Sequence, residues 1–312
     1  MMKIAILGAG AMGLLYGGYL SEENEVFMLC RGQEKVDKIN QEGLRIEESE
    51  GGEKIYRPVA VHAGTHDLPQ LDVLILFVKA GATVEALEEN KHLISENTIL
   101  LTLQNGSGHE NILKNYARED QIAIGVTQDG SRYLDKNAVR HTGTFSTYFG
   151  LVNGGENETL SALEKTFNAC GFKTFKSDKI KVFIWEKLMI NASSSVLTGM
   201  LGMPQGYVYT NKSAWEMIQS LVKEMVEVAK ADGVSLDYKT QLARVENLVT
   251  TAPHGVPSIC IDIKEGRKTE VDSISGSVVR AGIRHGIPTP SHSMAVNMIH
   301  ALEGKGESKW QV

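Results

Sequence analysis

Residues Lys3 to Gly18 read KIAILGAGAMGLLYGG, and the architecture of the chain follows from how this stretch must fold. Ile4 to Leu7 form a short apolar run suited to a strand buried on both faces. Gly8, Gly10 and Gly13, with Ala9, Ala11 and Met12 between them, then spell G-x-G-x-x-G ahead of a helix-like segment, Leu14 to Leu20. In a dinucleotide-binding turn the first glycine permits the tight bend and the second lets a pyrophosphate approach the backbone. The third lets helix and strand pack closely, and the helix N-terminus offers its unpaired N–H groups to the anion. The fingerprint by itself fits a ligand-free glycine turn equally well. Its place between a strand and a helix points to a nucleotide site.

The chain has 312 residues, 42% hydrophobic and 22% charged, enough for about two globular domains. A net charge of −6 argues against a nucleic-acid partner. Cys30, Cys170 and Cys260 are far apart and lack metal-type spacing. They read as reduced thiols of a cytoplasmic protein with no metal site. Met1 leads directly into the first strand, so no signal peptide is expected. No apolar run approaches the ~20 residues that span a bilayer, so no membrane partner is expected.

Glu25 to Leu29 reads as a second buried strand, at whose end an adenosine ribose should lie. An NAD site usually places Asp or Glu there, whereas an NADP site places a cation for the 2′-phosphate. Here the residues are Cys30, Arg31 and Gly32, so NADPH is expected, with Arg31 pairing the phosphate, though a solvated surface arginine also fits the position. Asp72 to Val78 is a third buried strand, ended by Lys79. Lys79 lies on the ligand side of such a sheet, though an exposed strand-end lysine fits as well. Thr98 to Leu103 is a fourth strand, closed by Gln104, Asn105 and Gly106. Asn105 suits a nicotinamide or substrate contact, or a left-handed turn before Gly106.

Further strands are expected over Leu44–Ile46 and Lys54–Tyr56 (a hairpin), Gln121–Val126, and Lys173–Phe175. Ala138–His141 and Phe145–Leu151 read as an antiparallel pair around Gly143. After about Asp178 helical periodicity takes over, in Lys179–Leu197, Ala214–Ala231, Ser273–His285 and Ser291–Leu302. The expected organisation is an α/β Rossmann-type nucleotide-binding domain over 1–177 and an all-α domain over 178–312. A ligand cleft is expected at their junction. The apolar C-terminal helices serve either as core or as the contact of a homodimer.

Within the helical region, Lys187, Asn191 and Ser195 share one helix face by spacing. That stripe presents an ammonium and an amide to a substrate if it faces the cleft, and is otherwise a solvated face. Lys264 to Asp272 is rich in alternating charge, reading as a solvated turn and helix start with Thr269 or Asp272 as the cap. Composition does not single out Glu270 from its neighbours.

Taken in order, these motifs resemble the ketopantoate reductase (2-dehydropantoate 2-reductase) family along nearly the whole chain. The matching pieces are GAGAMG, Val78-Lys79-Ala80, Gln104-Asn105-Gly106, Trp185-x-Lys187-Leu188-x-x-Asn191, Ser258 with Asp262, and GRKTEVD from Gly266 to Asp272. The resemblance implies NADPH-dependent hydride transfer to the ketone of a small 2-oxo acid. It implies that Lys187 is the general acid and Glu270 an acidic partner that binds substrate, touches the cofactor side and orients the lysine. Asn191, Ser195 and Ser258 match substrate-contact positions. Asn105 and Lys79 match the nicotinamide side, and Arg31 the 2′-phosphate contact. Ser195, Gln205 and Gly255 stand where the family has amides that recognise the hydroxylated end of ketopantoate. A site that loses hydroxyl-binding donors loses discrimination. A D-2-hydroxy-acid dehydrogenase acting on other branched or aromatic 2-oxo acids is therefore the alternative enzyme, and an NADP-binding sensor the alternative outside catalysis.

Overall fold

Strand β1 (Lys3–Leu7) and helix α1 (Ala11–Leu20) set the frame of the N-terminal part of the computed structural model, which describes residues 1–307. From Gly13 to Leu20 every residue of α1 is buried. A helix that is apolar all round must be covered on all sides, and here two sheets cover it. Gly17 faces one sheet, with its α-carbon pressed against Met28, and Gly18 faces the other, against Ile46.

The larger sheet contains β2 (Glu25–Cys30), β5 (Val59–His62), β6 (Val73–Leu76), β7 (Ile99–Thr102), β8 (Ile122–Thr127), β11 (Ser146–Leu151) and β12 (Lys173–Lys176) besides β1. Its order is β12-β11-β8-β7-β6-β1-β2-β5. The run β5-β2-β1-β6-β7-β8 is parallel throughout. Counted among these six strands, the order is the 3-2-1-4-5-6 of doubly wound dinucleotide-binding sheets. The order reverses between β1 and β6. Leu7 pairs with both Leu29 and Leu76, so the turns after β1, β2 and β6 leave the same carboxyl edge. Helices α2 (Gln33–Glu42), α3 (Thr83–Asn90), α4 (Glu110–Leu113) and α5 (Glu158–Ala169) complete this part.

The smaller sheet is β4 (Glu53–Tyr56), β3 (Leu44–Glu47), β10 (Ala138–Gly143) and β9 (Gly130–Asp135), in that order. The expected pairing around Gly143 is not what forms. β10 pairs with β9 and β3, while β11 crosses to the larger sheet and pairs with β8 and β12. The crossing is fixed by Asp129, which accepts the Phe145 N–H at 2.8 Å and the Tyr16 hydroxyl at 2.7 Å. Burial pushes the Tyr16 hydroxyl well above its ordinary pKa, so it stays protonated and donates. Phe149 and Leu151 of β11 are thereby buried in the larger core.

The chain divides into two units. The first takes residues 1–104 and 109–180, ending a few residues past the expected boundary. The second takes the chain from Lys181 onward together with the tetrapeptide Asn105–Gly108. The helices of the C-terminal part are α6 (Ile180–Ile190), α7 (Val196–Leu201), α8 (Gln205–Thr210), α9 (Lys212–Ala231), α10 (Tyr238–Thr251), α11 (Ser258–Lys264), α12 (Ser275–His285) and α13 (Pro290–Glu303). Trp185, Leu188, Ile218, Met225, Val278 and Ile299 are among the residues of its core. The expected single helix over Lys179–Leu197 is interrupted by a π-helical turn, Asn191–Ser195. Ser193 and Ser194 direct their hydroxyls to the carbonyls of Met189 and Ile190, four residues back. Such back-bonding competes with the α-helical ladder and accompanies the wider turn.

His292 ties α13 to α9. Its Nε2 lies 3.1 Å from the Leu221 carbonyl, and its Nδ1 has no partner among the described residues. Glu224 of α9 accepts the backbone N–H groups of Ser291 and His292. Burial pushes the His292 pKa down to about 4. The unfolded chain, with its histidine near 6.5, therefore binds more protons in between. This contribution is full above about pH 6.5 and is lost as the pH falls towards about 4. His300 acts in the opposite sense, its pKa raised by Glu303 and Asp272, but it is far more exposed. The stability measured by urea denaturation should fall by about 1–2 kcal/mol between pH 7 and pH 5. In His292→Gln this slope should be nearly flat.

Candidate active site

The first cluster is built on the carboxyl edge of the larger sheet. Gly8 adopts a φ of +112°, and a Cβ there would stand 2.6 Å from the Val78 nitrogen at the end of β6. A Cβ on Gly13 would stand 1.8 Å from the Gly8 carbonyl oxygen. The turn is thus wedged between β6 and α1, and larger residues at either position would push it out. Gly10 is different, because a Cβ there would meet nothing within 4 Å. Its face is open to a ligand, and no side chain caps the helix that starts at Ala11. Open glycine backbone ahead of an uncapped helix N-terminus fits a pyrophosphate.

Cations stand along the same edge. Arg31 follows β2, exposed, with its guanidinium 3.2 Å from the Glu85 carboxylate of α3. Lys35, on α2, donates to the Ala9 carbonyl at 2.7 Å. Lys79 is exposed just after β6, ahead of a short 3₁₀ turn. Gln104 fixes that segment from β7, donating to the Val78 carbonyl at 2.6 Å and to Thr83 at 2.9 Å. Lys35 and Glu85 were not marked by the sequence. Lys35 had one weak signal, a cation in the first turn of the helix after Arg31-Gly32.

The second cluster lies within the second unit and joins three distant stretches. Lys187 donates from Nζ to Asn105 Oδ1 at 2.8 Å. Asn105 Nδ2 donates to Glu270 Oε2 at 2.9 Å. The amide is oriented by chemistry, since its oxygen meets the ammonium and its nitrogen the carboxylate. Asn105 is not in the left-handed region, because among the described residues only glycines have positive φ. The following Gly106 takes the turn instead, with φ +107° and its α-carbon tight against the Ser273 carbonyl. All three side chains are half-buried.

Glu270 is held from α13. Glu303, only 3% exposed, accepts both the backbone N–H and the hydroxyl of Thr269 at 2.7 Å. His300 bridges Glu303 and Asp272 at 3.0 Å each. Burial works to raise the Glu303 pKa, but these donors outweigh it and leave it near about 2. Neither Thr269 nor Asp272 caps α12, which begins after Ile274 without a side-chain cap. The alternating charges of Lys264–Asp272 are therefore only partly a solvated turn, for some of them clamp the residue beside them.

The remaining predicted positions are spread over neighbouring elements. Asn191 opens the π turn half-buried, and Ser195 closes it at 8% exposure. Ser258 is exposed at the start of α11. Gln205 is buried on α8, its Oε1 without a partner among the described residues and 3.4 Å from where a Cβ of residue 255 would stand. Its longer side chain thus reaches towards the space that Gly255 leaves.

These two clusters on this topology define a two-unit, Rossmann-type dinucleotide-binding protein. The family model for ketopantoate reductase PanE/ApbA matches residues 4–154, and that for its C-terminal part matches residues 179–303. The chain belongs to the ketopantoate reductase family. It is 30% identical over 308 residues to the 2-dehydropantoate 2-reductase of Lactococcus lactis, covering 97% of this chain and 98% of that one. The enzyme of the same name from Pyrococcus abyssi is also 30% identical, covering 97% of this chain and all of its own. Among solved structures, D-mandelate dehydrogenase with NADH and anilino(oxo)acetate superposes with a TM-score of 0.89 at 29% identity, covering 98% of this chain and 100% of the other. The PanE/ApbA family ketopantoate reductase of Ralstonia eutropha gives 0.87 at 25% identity, with coverage of 98% and 100%.

Glu303→Ala should destabilise the protein by about 1–2 kcal/mol, because it removes the acceptor of both part-buried donors of Thr269. Glu303→Gln, which keeps an acceptor, should lose less. Urea denaturation of the two variants checks the order.

Proposed function

We propose that this chain reduces 2-dehydropantoate to pantoate with NADPH; its relatives from Lactococcus lactis and Pyrococcus abyssi carry the name 2-dehydropantoate 2-reductase. The observation that carries the reading is the chain of hydrogen bonds Lys187–Asn105–Glu270. Ketone reduction needs a hydride at carbon and a proton at oxygen. When bound at the glycine turn, the nicotinamide supplies the hydride.

The protein's own residues handle the charge that develops on oxygen. Lys187 donates a hydrogen bond to the ketone oxygen, stabilises the forming alkoxide and delivers the proton. Asn105 takes one N–H of the ammonium and so fixes its direction. Glu270, on the far side of the amide, holds Asn105 in that orientation and accepts from the hydroxyl as it forms. Asn191, Ser195 and Ser258 complete the substrate contacts in this reading, and Ser258 serves the carboxylate. Gln205 supports a hydroxylated substrate, since its buried Oε1 lacks a donor within the described protein. Gly8 to Gly13 cradle the pyrophosphate, Arg31 holds the 2′-phosphate and Lys79 lines the nicotinamide side.

The same reading places the protein in the cytoplasm, acting on a small 2-oxo acid without nucleic-acid or membrane partners, and is compatible with a homodimer. Among the described residues no helix is long and apolar enough to cross a membrane. Burial pushes the Cys30 and Cys170 thiols up to about 11, which keeps them as unreactive thiols.

Lys187→Ala should lower kcat by roughly 10²- to 10⁴-fold while the dissociation constant for NADPH changes little. Unchanged turnover would remove the lysine from the mechanism. Purified protein should consume NADPH fastest with ketopantoate in a panel with 2-oxoisovalerate, 2-oxoisocaproate and phenylglyoxylate. Dominant turnover of an unhydroxylated acid would overturn the substrate assignment and leave the lysine chemistry standing.

A further inference from the structure

The sequence at the end of β2 offers a cation and no carboxylate, yet the folded protein has one there. Glu85 comes from the first turn of α3, on the strand-β6 side, and its Oε2 stands 3.2 Å from Arg31. We propose that Glu85 is a specificity-determining residue: it supplies the carboxylate missing from β2 and sets the balance between a free ribose diol and a 2′-phosphorylated one. The inference rests on the dinucleotide reading of the glycine turn.

The argument is one of charge and position. Ribose hydroxyls donate, and a carboxylate at this edge accepts from them, whereas a 2′-phosphate needs donors and a positive charge. Arg31 alone would favour the phosphate. With Glu85 already paired to it, a phosphate that takes the guanidinium brings its negative charge beside a carboxylate, which opposes it. A diol meets no such penalty, because Glu85 can turn to it while Arg31 stays close. Both side chains are more than half exposed, at 57% and 74%, so water screens the pair and lets it exchange partners.

The backbone that carries Glu85 is held at the start of α3, independently of the ion pair. Thr83, two residues before it, is fully buried and accepts from Gln104. A carboxylate in the first turn also suits the positive end of the helix. On α2, the helix after Arg31, Glu34 pairs with Lys136 and Asp37 accepts from Gln33.

The test is direct binding of NADPH and of NADH to the full chain, read by the fluorescence of the reduced nicotinamide, without turnover. In Glu85→Gln the dissociation constant for NADPH should fall roughly two- to fivefold relative to that for NADH. The shift should shrink at about 0.5 M salt, as for exposed charges. Adding Arg31→Ala should abolish the NADPH advantage that Glu85→Gln creates. If both dinucleotides bind and their ratio moves by less than about twofold in Glu85→Gln, Glu85 has no such role and the dinucleotide reading survives. If neither binds to the parent protein, that reading fails and this inference falls with it.

Discussion

Helix α1 has no polar face, and the first unit is arranged around that fact. Its burial needs a sheet on each side, which is why a second, smaller sheet exists beside the doubly wound one. Its two buried hydroxyls are both satisfied, Tyr16 by Thr127, Thr147 and Asp129 and Tyr19 by Glu48 and His141. The same Asp129 steers the chain from β10 into β11. Pressing α1 onto β1 brings Gly13 against Gly8, and that contact shapes the turn left open at Gly10. Packing and the nucleotide cradle are in this sense one constraint, since loosening the helix would also misplace its N–H groups.

The second unit meets a different requirement. An ammonium and a carboxylate are both half-buried, and a neutral amide lies between them. A direct pair would tie each charge to the other. The amide instead passes orientation from Glu270 to Lys187 and leaves each charge its own region of space. Glu303 and His300 then hold the segment on both sides of Glu270, so its position does not depend on the exposed loop alone.

How much of this could be read from the chain follows the range of the interactions. The glycine turn, the buried strands and the long amphipathic helices were legible, because their signals lie within a few residues of one another. Strands β5 and β9 were not, since VAVH offers only three apolar residues directly after Pro58 and GSRYLD has no apolar run. Helix α10 was hidden by its polar composition, with only Gln241, Val245 and Val249 buried. The π turn depends on hydroxyls bonding backwards, which a helical wheel does not show. At the site, the family resemblance named Lys187, Asn105 and Glu270 singly, but their joining through Asn105 spans 82 and 165 residues. Glu85 and Glu303 carry no local mark and Lys35 only a weak one, because each matters through what the fold sets beside it.

The assignment of Asn105–Gly108 to the second unit has a consequence for modularity. The chain leaves β7, contributes four residues to the helical unit, and rejoins the first unit at His109, ahead of α4. The amide that links lysine to carboxylate is therefore encoded inside the nucleotide-binding half. The two halves cannot be exchanged as cassettes at the Ile180 boundary without dividing the cluster. A helical unit grafted onto another Rossmann domain would inherit Lys187 and Glu270 but borrow its bridging residue from the new host. A graft would have to match at the β7 loop, or the bridge between lysine and carboxylate would be lost.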